Sequence, residues 1–98
     1  MIEIRETDVF KEWFNSLKDK RAKARIDIRI RRVSLGNLGD VKPVGSGVSE
    51  LRIDYGPGYR IYFVQQGNVI IILLCGGDKS TQSKDIQRAH EIAQMLKE

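Results

Sequence analysis

The sequence predicts an α+β domain in the order β-α-α-β-β-β-α, an antiparallel sheet with helices packed on one face. Three observations predict it. Apolar and polar residues alternate with period two on both sides of Gly56-Pro57-Gly58. An unbroken apolar run fills residues 69–75. Apolar residues at helical spacing lie before and after these strands.

Residues 1–5 alternate Ile2 and Ile4 with polar neighbours and read as a first strand. Thr7 or Asp8 can accept hydrogen bonds from the free amides that open a helix. Val9, Phe10, Trp13, Phe14 and Leu17 then mark its core stripe. Residues 20–35 satisfy two periods. Ala22, Ile26, Ile30 and Val33 make a helical stripe, while Ile26, Ile28 and Ile30 alternate as in a strand. Helix is preferred, because the segment opens with good helix formers and meets no turn residue until Gly36. A loop rich in glycine follows, with Gly39, Pro43, Gly45 and Gly47.

Residues 48–55 and 59–65 read as two strands of a hairpin. With Tyr55 opposite Tyr59, Leu51, Ile53, Ile61 and Phe63 share an apolar face. The other face then sets Arg52 across from Tyr62 and Asp54 across from Arg60. Gln66-Gly67-Asn68 turns the chain into the strand 69–75, which has no polar face and should be central. After Gly76-Gly77-Asp78-Lys79, Ser80 or Thr81 starts a last helix with Ile86, Ala89, Ala93 and Leu96 on one stripe.

Ninety-eight residues fit one domain, 1–98, and 41% hydrophobic with 31% charged residues describes a folded, soluble chain. Cys75 is the only cysteine and His90 the only histidine, which excludes an internal disulfide and a Cys/His zinc cluster. No basic, apolar leader opens the sequence and no run is long enough for a membrane span, so a cytoplasmic location is expected.

Charge is concentrated. Residues 18–32 carry +6 of a net +4, which leaves the remainder at −2. Arg21, Arg25, Arg29 and Arg32 repeat at helical spacing and make this segment the candidate surface for RNA or an acidic protein, although a solvated helix face has the same pattern.

Arg52 and Arg60 on one hairpin face, with Lys79 beyond the central strand, are the candidate catalytic set. Arginine grips phosphate through two parallel N–H groups and keeps its charge. A lysine beside it can move a proton. Such a set could stabilise a pentacovalent phosphate and activate a ribose 2′-hydroxyl with no metal and no cofactor. A plainer reading stands beside it: Arg60 pairs with Asp54, Arg52 pairs with Glu50 or stacks on Tyr62, and Lys79 is solvated.

The segment Glu50-Leu51-Arg52-Ile53-Asp54-Tyr55-Gly56-Pro57-Gly58-Tyr59-Arg60-Ile61-Tyr62-Phe63 resembles the hairpin of the RelE/ParE toxin superfamily. Leu73-Leu74-Cys75-Gly76-Gly77-Asp78-Lys79-Ser80-Thr81-Gln82-Ser83-Lys84-Asp85-Ile86, followed by Ala89, resembles its HigB-like, phage Gp49-like branch. The resemblance implies a RelE-like fold and the toxin half of a type II toxin–antitoxin system. RelE- and HigB-like members cut mRNA on the ribosome, with the 2′-hydroxyl as nucleophile and basic residues as catalysts. By matching position, Arg52 and Arg60 would bind phosphate and stabilise the transition state, and Lys79 would be the loop residue nearest the family's C-terminal catalytic position. Arg21, Arg25, Arg29, Arg32 and Tyr62 would meet the RNA or ribosome. The implied partners are the ribosome, mRNA and a cognate antitoxin with a helix-turn-helix DNA-binding domain. The ParE branch shares the hairpin arginines and poisons DNA gyrase without chemistry, and that is the alternative activity. The family often places a tyrosine or histidine near the chain end; here only His90 stands there, within an amphipathic helix.

Overall fold

The computed structural model describes residues 1–97. Its elements are β1 (Glu3–Glu6), α1 (Asp8–Ser16), α2 (Lys20–Ser34), β2 (Val41–Pro43), β3 (Val48–Ile53), β4 (Tyr59–Gln66), β5 (Ile70–Asp78) and α3 (Gln82–Leu96), with a 3-10 turn at Lys79–Thr81. The strands form one sheet in the order β1-β5-β4-β3-β2. The α+β class and the 48–75 meander match the expectation.

Side chains fix the helix ends. Thr7 accepts from the Phe10 amide and donates to the Leu74 carbonyl, so the cap of α1 is also tied to β5. Asp19 accepts from the amides of Arg21 and Ala22 and opens α2. At its far end Gly36 takes φ 91°, and Gly36 and Asn37 return amide hydrogens to Val33 and Arg32. Those bonds satisfy carbonyls that the helix leaves open.

Three features depart from the expectation. The loop after α2 contains the short edge strand β2, paired antiparallel with β3. Pro43 stands on this edge, where its missing N–H is harmless. Second, β1 runs parallel to β5, a pairing that the long connection through two helices permits. Third, the helices divide between the faces. Phe10, Ala22, Ile26 and Val33 of α1 and α2 pack on Leu51, Ile61, Phe63 and Leu73. Ala89 and Ala93 of α3 pack with Val48, Tyr62, Leu74 and Cys75 on the other side. The apolar strand β5 needs cover on both faces, and a helix on each supplies it. A bulge in the β4–β5 pairing, where Tyr62 opposes Cys75 but Phe63 opposes Leu73, lets Leu74 and Cys75 both enter the α3 core.

The hairpin register lies two residues from the expected one. Ile53 opposes Tyr59, Leu51 opposes Ile61, Arg52 opposes Arg60 and Glu50 opposes Tyr62. The turn is longer than three residues because the Tyr55 amide bonds back to Ile53 and that of Gly58 to Tyr55. A shift of two keeps every side chain on its face, so the apolar set is unchanged.

Candidate active site

Arg52 and Arg60 project from β3 and β4 on the face that also carries Glu50 and Tyr62. Lys79 begins the 3-10 turn after β5, where Asp78 accepts from the Ser80 amide and holds the turn. The three basic side chains line one open cleft of about 390 Å³, with Asp40, Asp54 and the Gly56-Pro57-Gly58 turn as its other walls. The structure thus gathers the predicted catalytic residues from three elements.

Each arginine has a carboxylate, but not the one expected. Arg52 donates through Nε and Nη2 to Asp40 Oδ1, both at 3.3 Å, across a partly exposed pair. Asp40 also accepts the Arg52 backbone amide through its own carbonyl, so the loop before β2 clamps this residue. Arg60 faces Glu50, with Nε 3.9 Å from Oε1, rather than Asp54. Glu50 has no exposed surface and is the one fully buried charged side chain among the described residues.

Tyr62 is the clear correction. Expected to meet RNA, it is completely buried in the α3 core, and its hydroxyl donates to Glu50 Oε2 at 2.9 Å. Burial, and then the carboxylate beside it, push its ionisation up, so the hydroxyl remains a donor. The helix α3 covers the sheet face on which period-two reading leaves Tyr62 open.

The basic helix is more differentiated than its stripe. Arg21, Arg25 and Arg32 line a groove of about 670 Å³ between α2 and the hairpin, with Ala24 and Ile28 as its apolar floor. The Arg25 guanidinium stacks over Tyr55 at 4.6 Å from the ring centre. Arg29 lines the same groove but holds the fold: it donates to the carbonyls of Arg52 at 2.6 Å and Leu38 at 3.0 Å. Ile53 and Asp54 border both the groove and the cleft, so the two adjoin, with the Asp54 carboxylate at their boundary.

His90 lies outside the cleft, its Nε2 2.9 Å from the Val44 carbonyl. Cys75 is buried, and desolvation pushes its thiol up to about 12. No group of three or more His, Cys, Asp or Glu side chains spaced to hold a metal occurs among the described residues. No helix among them is long and apolar enough to cross a membrane.

Glu50 is the functional candidate that sequence reasoning missed. Its signal was present in the alternation Glu50-Leu51-Arg52-Ile53, which puts it on the arginine face. The misplaced register set Arg52 rather than Glu50 against Tyr62 and so concealed the pair.

The family of phage-derived Gp49-like proteins (DUF891) matches residues 12–97. An uncharacterized protein of Haemophilus influenzae is 55% identical over 95 residues, spanning 97% of this chain and 96% of its own. A mutant of the E. coli toxin RelE in the free state has the same fold, with a TM-score of 0.71 at 10% identity, over 91% of this chain and 93% of that one. The RelBE2 toxin–antitoxin complex of Mycobacterium tuberculosis contains a chain similar at a TM-score of 0.62 and 17% identity, over 80% of this chain and 98% of that one. The family match spans the second helix, the hairpin arginines and the Lys79 turn, and the solved toxins share the sheet and its helices; the chain belongs to the phage-derived Gp49-like family and has the RelE toxin fold.

Proposed function

We propose that this protein is the toxin of a type II toxin–antitoxin system and a ribosome-dependent endoribonuclease that cuts mRNA and halts translation. The observation that carries the reading is the convergence of Arg52, Arg60 and Lys79 on one cleft. In the proposed reaction a ribose 2′-oxygen attacks the adjacent phosphorus. The O2′–P bond forms, the P–O5′ bond breaks, and the proton lost by the 2′-hydroxyl is balanced by one gained at the leaving O5′. Negative charge builds on the phosphoryl oxygens between the two states, where the guanidinium groups of Arg52 and Arg60 stabilise it. Lys79, exposed on the rim, moves the proton.

The groove beside α2 supports a polyanion-binding role, because Arg21, Arg25 and Arg32 line it and it adjoins the cleft. The same groove suits an acidic segment of an antitoxin, whose other part would be a helix-turn-helix DNA-binding domain. The RelBE2 complex supports an antitoxin partner for a chain of this fold.

Inducible expression with mapping of transcript 5′ ends, beside a plasmid supercoiling assay, tests the reading. New ends within translated RNA support it. Altered supercoiling with intact transcripts would replace it with a gyrase poison.

A further inference from the structure

Glu50 lies at the junction of three elements. From β3 its Oε2 accepts from the Tyr62 hydroxyl of β4 at 2.9 Å and from Gln82 Nε2, at the start of α3, at 2.8 Å. Its Oε1 is buried without a hydrogen-bond partner. Arg60 Nε is buried and unpartnered as well, and the two face each other at 3.9 Å. A buried carboxylate oxygen and a buried guanidinium N–H left open are each unfavourable, and each is the other's remedy.

We infer that Glu50 is the positioning residue for Arg60: it holds the Nε edge of the guanidinium so that the Nη edge is presented to a phosphate in the cleft. Arg60 has five N–H donors in one plane. With Nε turned toward Glu50, the Nη groups remain for the cleft that Arg60 lines. A shortening of about 1 Å brings Nε and Oε1 into a charge-assisted hydrogen bond. An anion on the Nη edge then fixes the guanidinium between two negative groups. Gln82 extends the effect, because it follows directly on the turn that carries Lys79. Glu50 thus ties both hairpin strands to the Lys79 turn, without reaching the substrate itself. The inference rests on the reading of Arg60 as a phosphate-binding group.

The test has two arms on the full chain. In the first, the Arg60 Nε–H resonance is identified by its loss in Arg60→Lys and followed by nitrogen-15 NMR, without and with inorganic phosphate. In the wild type it should be resolved, slow to exchange with water, and shifted further downfield by phosphate as the bond to Glu50 closes. In Glu50→Gln, which keeps the shape and one acceptor, its hydrogen exchange should quicken at least about tenfold. An Nε–H that exchanges like an exposed arginine in the wild type, and ignores phosphate, overturns the inference without recourse to the Glu50 variant. In the second arm, Glu50→Gln should lower kcat for transcript cleavage by about 10- to 100-fold with KM little changed. In an Arg60→Lys background the same substitution should cost less than about threefold. Equal cost in both backgrounds would make Glu50 merely structural and overturn the inference. Absence of cleavage by the wild type would defeat the proposed ribonuclease activity instead, and the NMR arm would still decide how Arg60 is held.

Discussion

Arg52 and Arg60 stand directly opposite each other across the β3–β4 pair, two like charges at a position where unlike ones are favoured. Each has a different anion. Asp40 meets Arg52 at the open edge, and Glu50 meets Arg60 in the interior. Both side chains line one cleft. That makes the Asp40 pair a competitor for whatever anion enters. Asp40→Asn should therefore change stability by less than about 1 kcal/mol, since the pair is partly exposed. It should tighten binding of a short RNA at low salt. Thermal unfolding and filter binding measure the two effects.

Arg29 separates from its neighbours on α2. Loss of its guanidinium leaves the Arg52 and Leu38 carbonyls without a charged donor, so Arg29→Met should cost about 1–3 kcal/mol in urea unfolding. Arg21→Glu and Arg32→Glu should leave stability within about 0.5 kcal/mol. If the groove beside α2 takes an acidic antitoxin segment as proposed, they should slow antitoxin association and flatten its salt dependence. Stopped-flow mixing at two salt concentrations checks this.

Gly76 and Gly77 answer to packing. A Cβ on Gly76 would overlap the Trp13 ring, and one on Gly77 would overlap the Asp85 carboxylate. Helices α1 and α3 therefore approach β5 closely from its two faces. The Asp85 carboxylate is the end of a flexible side chain and can turn aside, whereas Trp13 is packed against Phe10 and Tyr59. Gly76→Ala should destabilise by about 1–3 kcal/mol and Gly77→Ala by less, as read from denaturant midpoints.

Alkaline pH should unfold the protein through two buried acids. Desolvation raises the Cys75 thiol from 9.0 to about 12, and burial raises the Tyr62 hydroxyl in the same direction. Both hold their protons more tightly folded than unfolded. Their contribution is intact below the ordinary thiol value and is lost as pH climbs through the folded one. Stability should fall by roughly 1.4 kcal/mol per unit from about pH 9 to 12 through Cys75, and Tyr62 should add to the slope only above about pH 10. Cys75→Ala should remove one proton's worth of that slope in urea titrations at stepped pH. An unchanged slope would show that the thiol does not titrate with unfolding.

The sequence was most legible where one physical signal acted alone. Ile53, Ile61 and Phe63 alternate so strictly that their common face survived a register error of two residues. The 20–35 segment shows both periods, and its N-cap Asp19 and the left-handed Gly36 just past its C-cap agree with the helix. What stayed hidden depends on distant partners. The parallel β1–β5 pairing leaves no local mark, and β2 is three residues in a glycine loop. Tyr62 looked open because nothing nearby in sequence shows that α3 covers its face. Arg52, Arg60 and Lys79 were identifiable as residues, while Glu50 needed the true register to become visible.

The most direct test of the account is Arg60→Lys at matched soluble protein levels, with growth arrest and transcript cleavage as readouts. The substitution keeps the charge and removes a planar fork suited to gripping two phosphate oxygens. The account predicts a loss of about 2–4 kcal/mol in transition-state stabilisation, roughly 30- to 1000-fold in cleavage rate, with ribosome binding reduced far less. Arg52→Lys should behave alike, and Lys79→Ala should lower the rate and alter its pH profile. Wild-type cleavage by Arg60→Lys would contradict the catalytic role assigned to the cleft.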